Sequence, residues 1–196
     1  MTQARATMLT TDCHFPAPPW LADELPEEYR RLFMRLEERD DGIYLVRPTP
    51  QQMRGPDDSY TSNPTTSILN AGVKVDDPDD ERALARLVQG DVAHESSPSF
   101  QIADLIDELE ADGVAGGVLI SSFGAPSGNL DADVTWCRLV NDWIAEACAG
   151  NLHRFAPGIQ LPLTSDEASV AEPERAAGLG LRPALLPDVY PPRHWL

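Results

Sequence analysis

Lysine is almost missing from this sequence. Lys74 stands alone beside fourteen arginines, and acidic residues outnumber basic ones 32 to 15, giving a formal net charge of −17 over 196 residues. A surface of that sign repels phosphate backbones and anionic lipid, which argues against a nucleic-acid or membrane partner. Long apolar runs are lacking too. No stretch approaches the ~20 apolar residues of a membrane helix, and residues 1–11 hold no apolar segment of signal-peptide length. Cysteine is scarce: Cys13, Cys137 and Cys148 are odd in number and match no zinc-knuckle or redox spacing. They are expected to be reduced, mostly buried thiols in a cytoplasmic protein. No Gly-x-Gly-x-x-Gly follows a candidate strand, and there is no phosphate-binding loop and no Gly-x-Ser-x-Gly elbow. Dinucleotide binding and serine-nucleophile chemistry lose their usual signatures with them.

What is present suffices for a core. The chain is 42% hydrophobic, and its length suits one domain. One stretch organises the rest: Leu9-Thr10-Thr11-Asp12-Cys13-His14-Phe15-Pro16. In a strand, residues i and i+2 share a face. Asp12 and His14 therefore project together and Cys13 points away. One carboxylate and one imidazole on one face supply half of a site for zinc or a similar divalent ion. Pro16, Pro18 and Pro19 end the strand, which puts the pair at its C-terminal end. Asp-x-His alone is a short pattern, equally met by a satisfied carboxylate–histidine pair, so its weight depends on the surrounding chain.

Leu25-Pro26-Glu27-Glu28 opens an expected helix with Tyr29, Leu32, Phe33 and Leu36 as its stripe and Arg30, Arg31, Arg35 and Arg39 on its solvated side. Asp41-Gly42 marks a turn before a short strand, Ile43 to Val46. Residues 47–97 are an irregular excursion or lid, rich in Pro, Asp, Ser and Thr, holding one short helix at about 79–89 stopped by Gly90. His94, in the polar part of that excursion, is expected on the surface. Then regular structure begins. A helix carries Ile102, Leu105, Ile106 and Leu109 and stops at Gly113. Val114 to Ile120 is nearly all apolar, as in a buried parallel strand. A helix over 131–148 has Leu130, Val134, Cys137, Ile144 and Ala147 on one side, widened by Trp136, Val140 and Trp143. An aromatic stripe at that spacing is core material. A strand over 155–163, a helix over 166–177 that Pro173 should kink or shorten, and a strand over 181–186 complete the series.

Alternating strands and helices of this kind predict right-handed β/α units around a parallel sheet. The ordered series also resembles a known family. Thr11-Asp12-Cys13-His14 with Trp20, Leu25-Pro26-Glu27-Glu28-Tyr29, Ala103-Asp104-Leu105 through Asp112-Gly113-Val114, Val140-Asn141-Asp142-Trp143, His153-Arg154-Phe155, Leu161-Pro162-Leu163 and Gly180-Leu181-Arg182-Pro183 occur in an order similar to that of the amidohydrolase-related metal-dependent hydrolases. This branch includes aminocarboxymuconate-semialdehyde decarboxylase. The resemblance implies an α/β fold, a (β/α)8 TIM barrel with a divalent metal, usually zinc, at the C-terminal rim. It matches Asp12 and His14 to the first-strand metal ligands. The family's other ligands and catalytic groups lie on later strands, so the catalytic residues have no counterpart in this sequence. His153 precedes its strand, and His194 follows the last one; neither substitutes for them.

A full barrel takes about 250 residues, so residues 1–196 are expected to form a single incomplete barrel domain of about four β/α units. Exposed edges then favour association, as a homo-oligomer or with a missing C-terminal half. Trp20, Ser122 and Phe123 are the candidates to bind a small-molecule substrate, with Ser121 and Gln160 nearby; ordinary loop and strand-end roles would account for them as well. The implied chemistry is hydrolysis or non-oxidative decarboxylation (a lyase reaction) of a small carboxylic acid. Two other readings compete: an inactive half-barrel that acts as an interaction or partner-completed subunit, and a small acidic α/β binding domain.

Overall fold

The computed structural model of the chain describes residues 8–46, 72–89, 99–121, 127, 129–162 and 166–185. Its centre is a parallel sheet. Strand β1 (Met8–His14) pairs in parallel with β5 (Val114–Ile120), and β5 with β6 (Phe155–Pro157). The short strands β7 (Ile159–Gln160) and β8 (Ala184–Leu185) pair in parallel as well. Gly158 joins the two ladders: its N–H donates to the Leu119 carbonyl at 2.9 Å, while the Ile159 N–H donates to Pro183 O at 2.7 Å. Strand order across the surface thus follows chain order. The single strand expected over 155–163 is broken at Gly158, and the one over 181–186 shrinks to two residues.

Three helices cross between these strands: α3 (Ile102–Ala111), α4 (Leu130–Ala147) and α5 (Asp166–Gly178). Leu105 of α3, Ile144 of α4 and Ala176 of α5 enter one core with Cys13, Leu119, Phe155 and Ile159 of the strands. All three helices therefore cover the same face of the sheet, as in a singly wound arrangement and unlike a doubly wound one. Mixed α/β with a parallel sheet is what the chain adopts; among the described residues the sheet does not close into a barrel. Each core side chain buried this way is worth about 1.5–3 kcal/mol. The aromatic stripe of α4 is core, with Trp136 stacked on Phe33 at 4.7 Å and Trp143 on Phe15 at 5.3 Å. Leu130, expected on that buried side, is instead exposed: it opens the helix one turn before the stripe meets the sheet.

Gly116 and Gly117 explain how β5 fits between its neighbours. A Cβ on Gly116 would strike the Arg154 carbonyl, and one on Gly117 the Thr10 carbonyl. Only glycine allows that approach. Gly113 ends the α3 connection at φ +75°, a left-handed value that suits glycine.

The region after β1 corrects the sequence expectation. The chain forms a 3-10 helix (Pro19–Glu24) and a single turn of helix α1 (Glu27–Arg30), and the helix expected to run on to Leu36 is absent. Arg35–Arg39 is instead strand β2, paired antiparallel with β3 (Gly42–Val46) through a tight turn at Asp40-Asp41. On one face Glu37 holds Arg35 at 2.7 Å and Arg39 at 2.9 Å. Backbone pairing with β3 and the turn residues outweigh a helical spacing that only four apolar residues supported.

The excursion is also more regular than its composition suggests. Val73–Val75 is strand β4 on the open side of β3, and α2 (Glu81–Gln89) packs over this small sheet. Leu45, Val75, Leu84, Ala85, Val88 and Phe100 form its own core. Asp80 caps α2, its Oδ1 accepting from the N–H of Arg82 and Ala83 at 3.1 and 3.0 Å. Gly90, His94 and His194 lie outside the described residues. No helix among the described residues is long and apolar enough to cross a membrane.

One buried polar network ties the helices to the sheet. Asn141 and Glu172 are buried to 0% and 1% exposure. The Asn141 amide donates to Gln160 O at 3.0 Å and to Glu172 Oε1 at 2.8 Å, and its Oδ1 accepts from the Gln160 N–H at 2.7 Å. Arg175 donates to both Glu172 oxygens, at 2.9 and 2.7 Å, and Arg138 lies 3.4 Å from Oε2. Helix α5 continues past Pro173 to Gly178, so the proline does not shorten it; Glu172 and Ala176 on either side of the proline are held in the core. Burial pushes the Glu172 pKa up, but hydrogen bonds from Arg175 and Asn141 and the charges of Arg175 and Arg138 outweigh it and hold the carboxyl below its ordinary value.

Two outcomes follow from this network. Asn141→Ala strands the Gln160 backbone groups and removes a donor to Glu172; urea unfolding should show a loss of about 3–5 kcal/mol. Because the folded Glu172 pKa is depressed, its contribution is fully present above the ordinary glutamate pKa of about 4.3 and disappears as pH falls through the lower folded value. Unfolding of the wild type and Glu172→Gln, followed against pH, should therefore differ near neutrality and converge in acid.

Candidate functional site

The C-terminal ends of the parallel strands bring together the polar residues most able to do chemistry. On β1 the register slips: Thr10 faces Gly117 and Cys13 faces Leu119, so three steps on β1 match two on β5. The extra residue is a bulge. Thr10 stabilises it, since its Oγ1 accepts from the Asp12 N–H at 3.2 Å and lies 3.3 Å from the Asp12 carbonyl as a donor. Beyond the bulge, Cys13 turns into the core while Asp12 and His14 share the other face. Asp12 Oδ1 and His14 Nε2 are 3.1 Å apart, with side-chain exposures of 66% and 20%. A contact with one partner this open to water contributes about 1 kcal/mol at most.

The pair offers two donors of the kinds that bind zinc, an oxygen and an imidazole nitrogen. A catalytic zinc takes three protein ligands, and the described residues contain no group of three or more His, Cys, Asp or Glu placed to hold a metal ion. Asp12 and His14 are two such donors, one fewer than that set requires. Cys13 is not a third donor: it is buried against the helices, and burial first, then the charges of Asp12 and Glu108, push its pKa up to about 11.

Trp20 lies on the 3-10 helix that follows β1, partly exposed, with its ring edge-on to Phe100 at 4.9 Å. That contact links the end of β1 to the small antiparallel subdomain. Ser122 and Phe123 fall outside the described residues. Ser121, just before them, is buried, and Gln160 at the end of β7 is 7% exposed; among the described residues neither the Ser121 hydroxyl nor Gln160 Oε1 meets a hydrogen-bond partner. Asn141 and Glu172, which hold the Gln160 backbone in place, were not expected to matter in this way. Asn141 interrupts the apolar side of α4 between Val140 and Ile144, and a buried amide in such a stripe is the signal that points to it.

No protein-family model matches the sequence, and no curated protein sequence matches it. The fold does have a solved counterpart. An amidohydrolase from Mycobacterium avium subsp. paratuberculosis K-10 is similar with a TM-score of 0.53 at 11% sequence identity. The similarity covers 90% of this chain and 48% of that one, so the chain spans about half the length of the amidohydrolase. At that identity the likeness is one of fold.

The state of the thiols gives a direct check on the strand-end geometry. Burial raises the pKa of Cys148 to about 12 and raises that of Cys137 as well, with Asp133 and Glu172 adding to the latter. The thiolate is the reactive form. At pH 8 Ellman's reagent should leave Cys13, Cys137 and Cys148 unmodified in the native protein and label all of them in denaturant. Rapid native labelling of Cys13 would mean that β1 does not turn it into the core.

Proposed function

We propose that the chain carries the first four β/α units of an amidohydrolase-type (β/α)8 barrel and serves hydrolysis, or non-oxidative decarboxylation, of a small carboxylic-acid substrate. The observation that carries this reading is the Asp12–His14 pair, 3.1 Å apart at the C-terminal end of the first strand of a parallel sheet whose strands follow chain order. That is where singly wound α/β folds keep their chemistry. The likeness in fold to an amidohydrolase structure supports it.

In this reading Asp12 and His14 hold a divalent ion, zinc by preference, with the remaining donors supplied from outside the described residues. A bound ion of this kind activates water or polarises a substrate oxygen. The chain's own contribution is orientation. The Thr10 bulge turns both donors to one face, and Cys13, packed in the core, anchors the backbone between them. Trp20 borders the strand end, where its exposed ring would contact the apolar part of a substrate.

A second reading has its own observation. Met8 and Leu9 on β1 are 51% and 66% exposed, which suits an edge that another chain covers. On that reading the chain is an inactive, partner-completed subunit.

Zinc titration by calorimetry separates the two. The hydrolase reading expects one equivalent bound, with His14→Ala weakening it by at least about a hundredfold, since even outer-shell partners of metal ligands cost 10–100-fold. The exposed pair contributes little to stability, so the variant should melt close to wild type. A stable oligomer that binds no stoichiometric zinc would favour the second reading.

A further inference from the structure

We propose that the Gln160 side chain is a ligand-recognition group at the strand ends, and that it takes an N–H or O–H donor from a small molecule. The proposal shares with the hydrolase reading only the location of the site.

The argument begins with faces. Cys13 and Ile159 lie in the same core under the helices. His14 and Gln160 are the next residues on their strands and close β1 and β7. Alternation puts both on the opposite face, away from that core. Two steps across the sheet separate β1 from β7, about 10 Å at 4.8 Å per step, the length of a small metabolite.

The second observation is how firmly Gln160 is held. Both of its backbone polar groups are bound by the Asn141 side chain, at 2.7 and 3.0 Å. The Gly158 N–H still pairs with β5, through Leu119 O. The next N–H on that edge belongs to Gln160, and Asn141 stands where β5 would otherwise continue. Asn141 is in turn fixed by the Glu172 carboxylate. The residue's backbone is built into a buried network of hydrogen bonds.

The third observation is that its side chain is left out of that network. Gln160 is 7% exposed, and its Oε1 is buried with no hydrogen-bond partner among the described residues. A buried polar atom without a partner destabilises a fold, and a methionine of similar shape would avoid the cost. A rigid backbone beneath an unsatisfied acceptor is the arrangement that suits recognition. A carbonyl oxygen accepts only, so the complementary group donates.

The test uses the whole chain, nitrogen-15-labelled and kept free of metal with EDTA. Acetamide, which carries N–H donors, and methyl acetate, which carries none, are titrated separately while the Gln160 side-chain amide resonances are followed. Acetamide should shift them saturably, with methyl acetate binding about three- to tenfold more weakly, the worth of one hydrogen bond. Gln160→Met should bind both probes equally and melt at or above the wild-type temperature. The proposal is overturned if neither probe, or both probes equally, perturb Gln160, or if Gln160→Met melts well below wild type, because the amide is then structural. Working without metal keeps the outcome separate from the hydrolase reading: failure of zinc binding at His14 leaves this result standing, and the reverse also holds.

Discussion

The fold depends on the clasp between Asn141 and Gln160. A parallel strand needs backbone partners on both edges, and β5 ends too early to serve β7 over its full length. The Asn141 amide replaces the missing strand, presenting an acceptor and a donor to the Gln160 backbone. An amide can do this because it carries both functions on one rigid plane. The cost is a polar side chain at the centre of the α4–sheet interface. Glu172 offsets that cost by accepting from the same amide, and Arg175 and Arg138 compensate the buried carboxylate. A carboxylate that deep without its arginines would be among the most expensive groups in the molecule. Helices α4 and α5 are thereby locked to one strand end through four side chains.

The same strand end divides two environments. Cys13, Leu119, Phe155 and Ile159 face the helices and are fully packed. The alternate residues face away, and there the chemistry-bearing groups gather: Asp12 and His14 on β1 and Gln160 on β7. The bulge at Thr10 is what makes the division sharp on β1. It absorbs one residue, so that the buried cysteine and the exposed pair fall on opposite sides at the point where the strand leaves the sheet.

The antiparallel subdomain answers to a different balance. Its strands carry charged side chains on one face, and those ion pairs are worth little each in water. Its stability comes from the small core under α2 and from Phe100, which also meets Trp20. Trp20 thus joins the C-terminal end of the parallel sheet to this appendage. The fold-level likeness to a solved amidohydrolase covers 90% of the chain.

The sequence by itself determined the elements whose evidence is local. The apolar run of β5, the stripes of α2, α3 and α4, the glycine stop at Gly113, the alternation of strands with helices and the shared face of Asp12 and His14 are set by side-chain periodicity and turn chemistry, which a single segment contains. The tertiary structure alone decided the rest. Residues 35–39 became a strand because β3 was there to pair with them, although the stripe from Tyr29 to Leu36 has helical spacing. Residues 73–75 became a strand for the same reason. Pro173 stayed inside a helix because Glu172 and Ala176 were held from outside it. The importance of Asn141 and Glu172 arose only when residues 31 apart met. In each case the deciding partner is distant along the chain, and its contribution exceeds the local preference, about 0.7 kcal/mol at most for an ordinary residue and about 3 kcal/mol for a proline inside a helix.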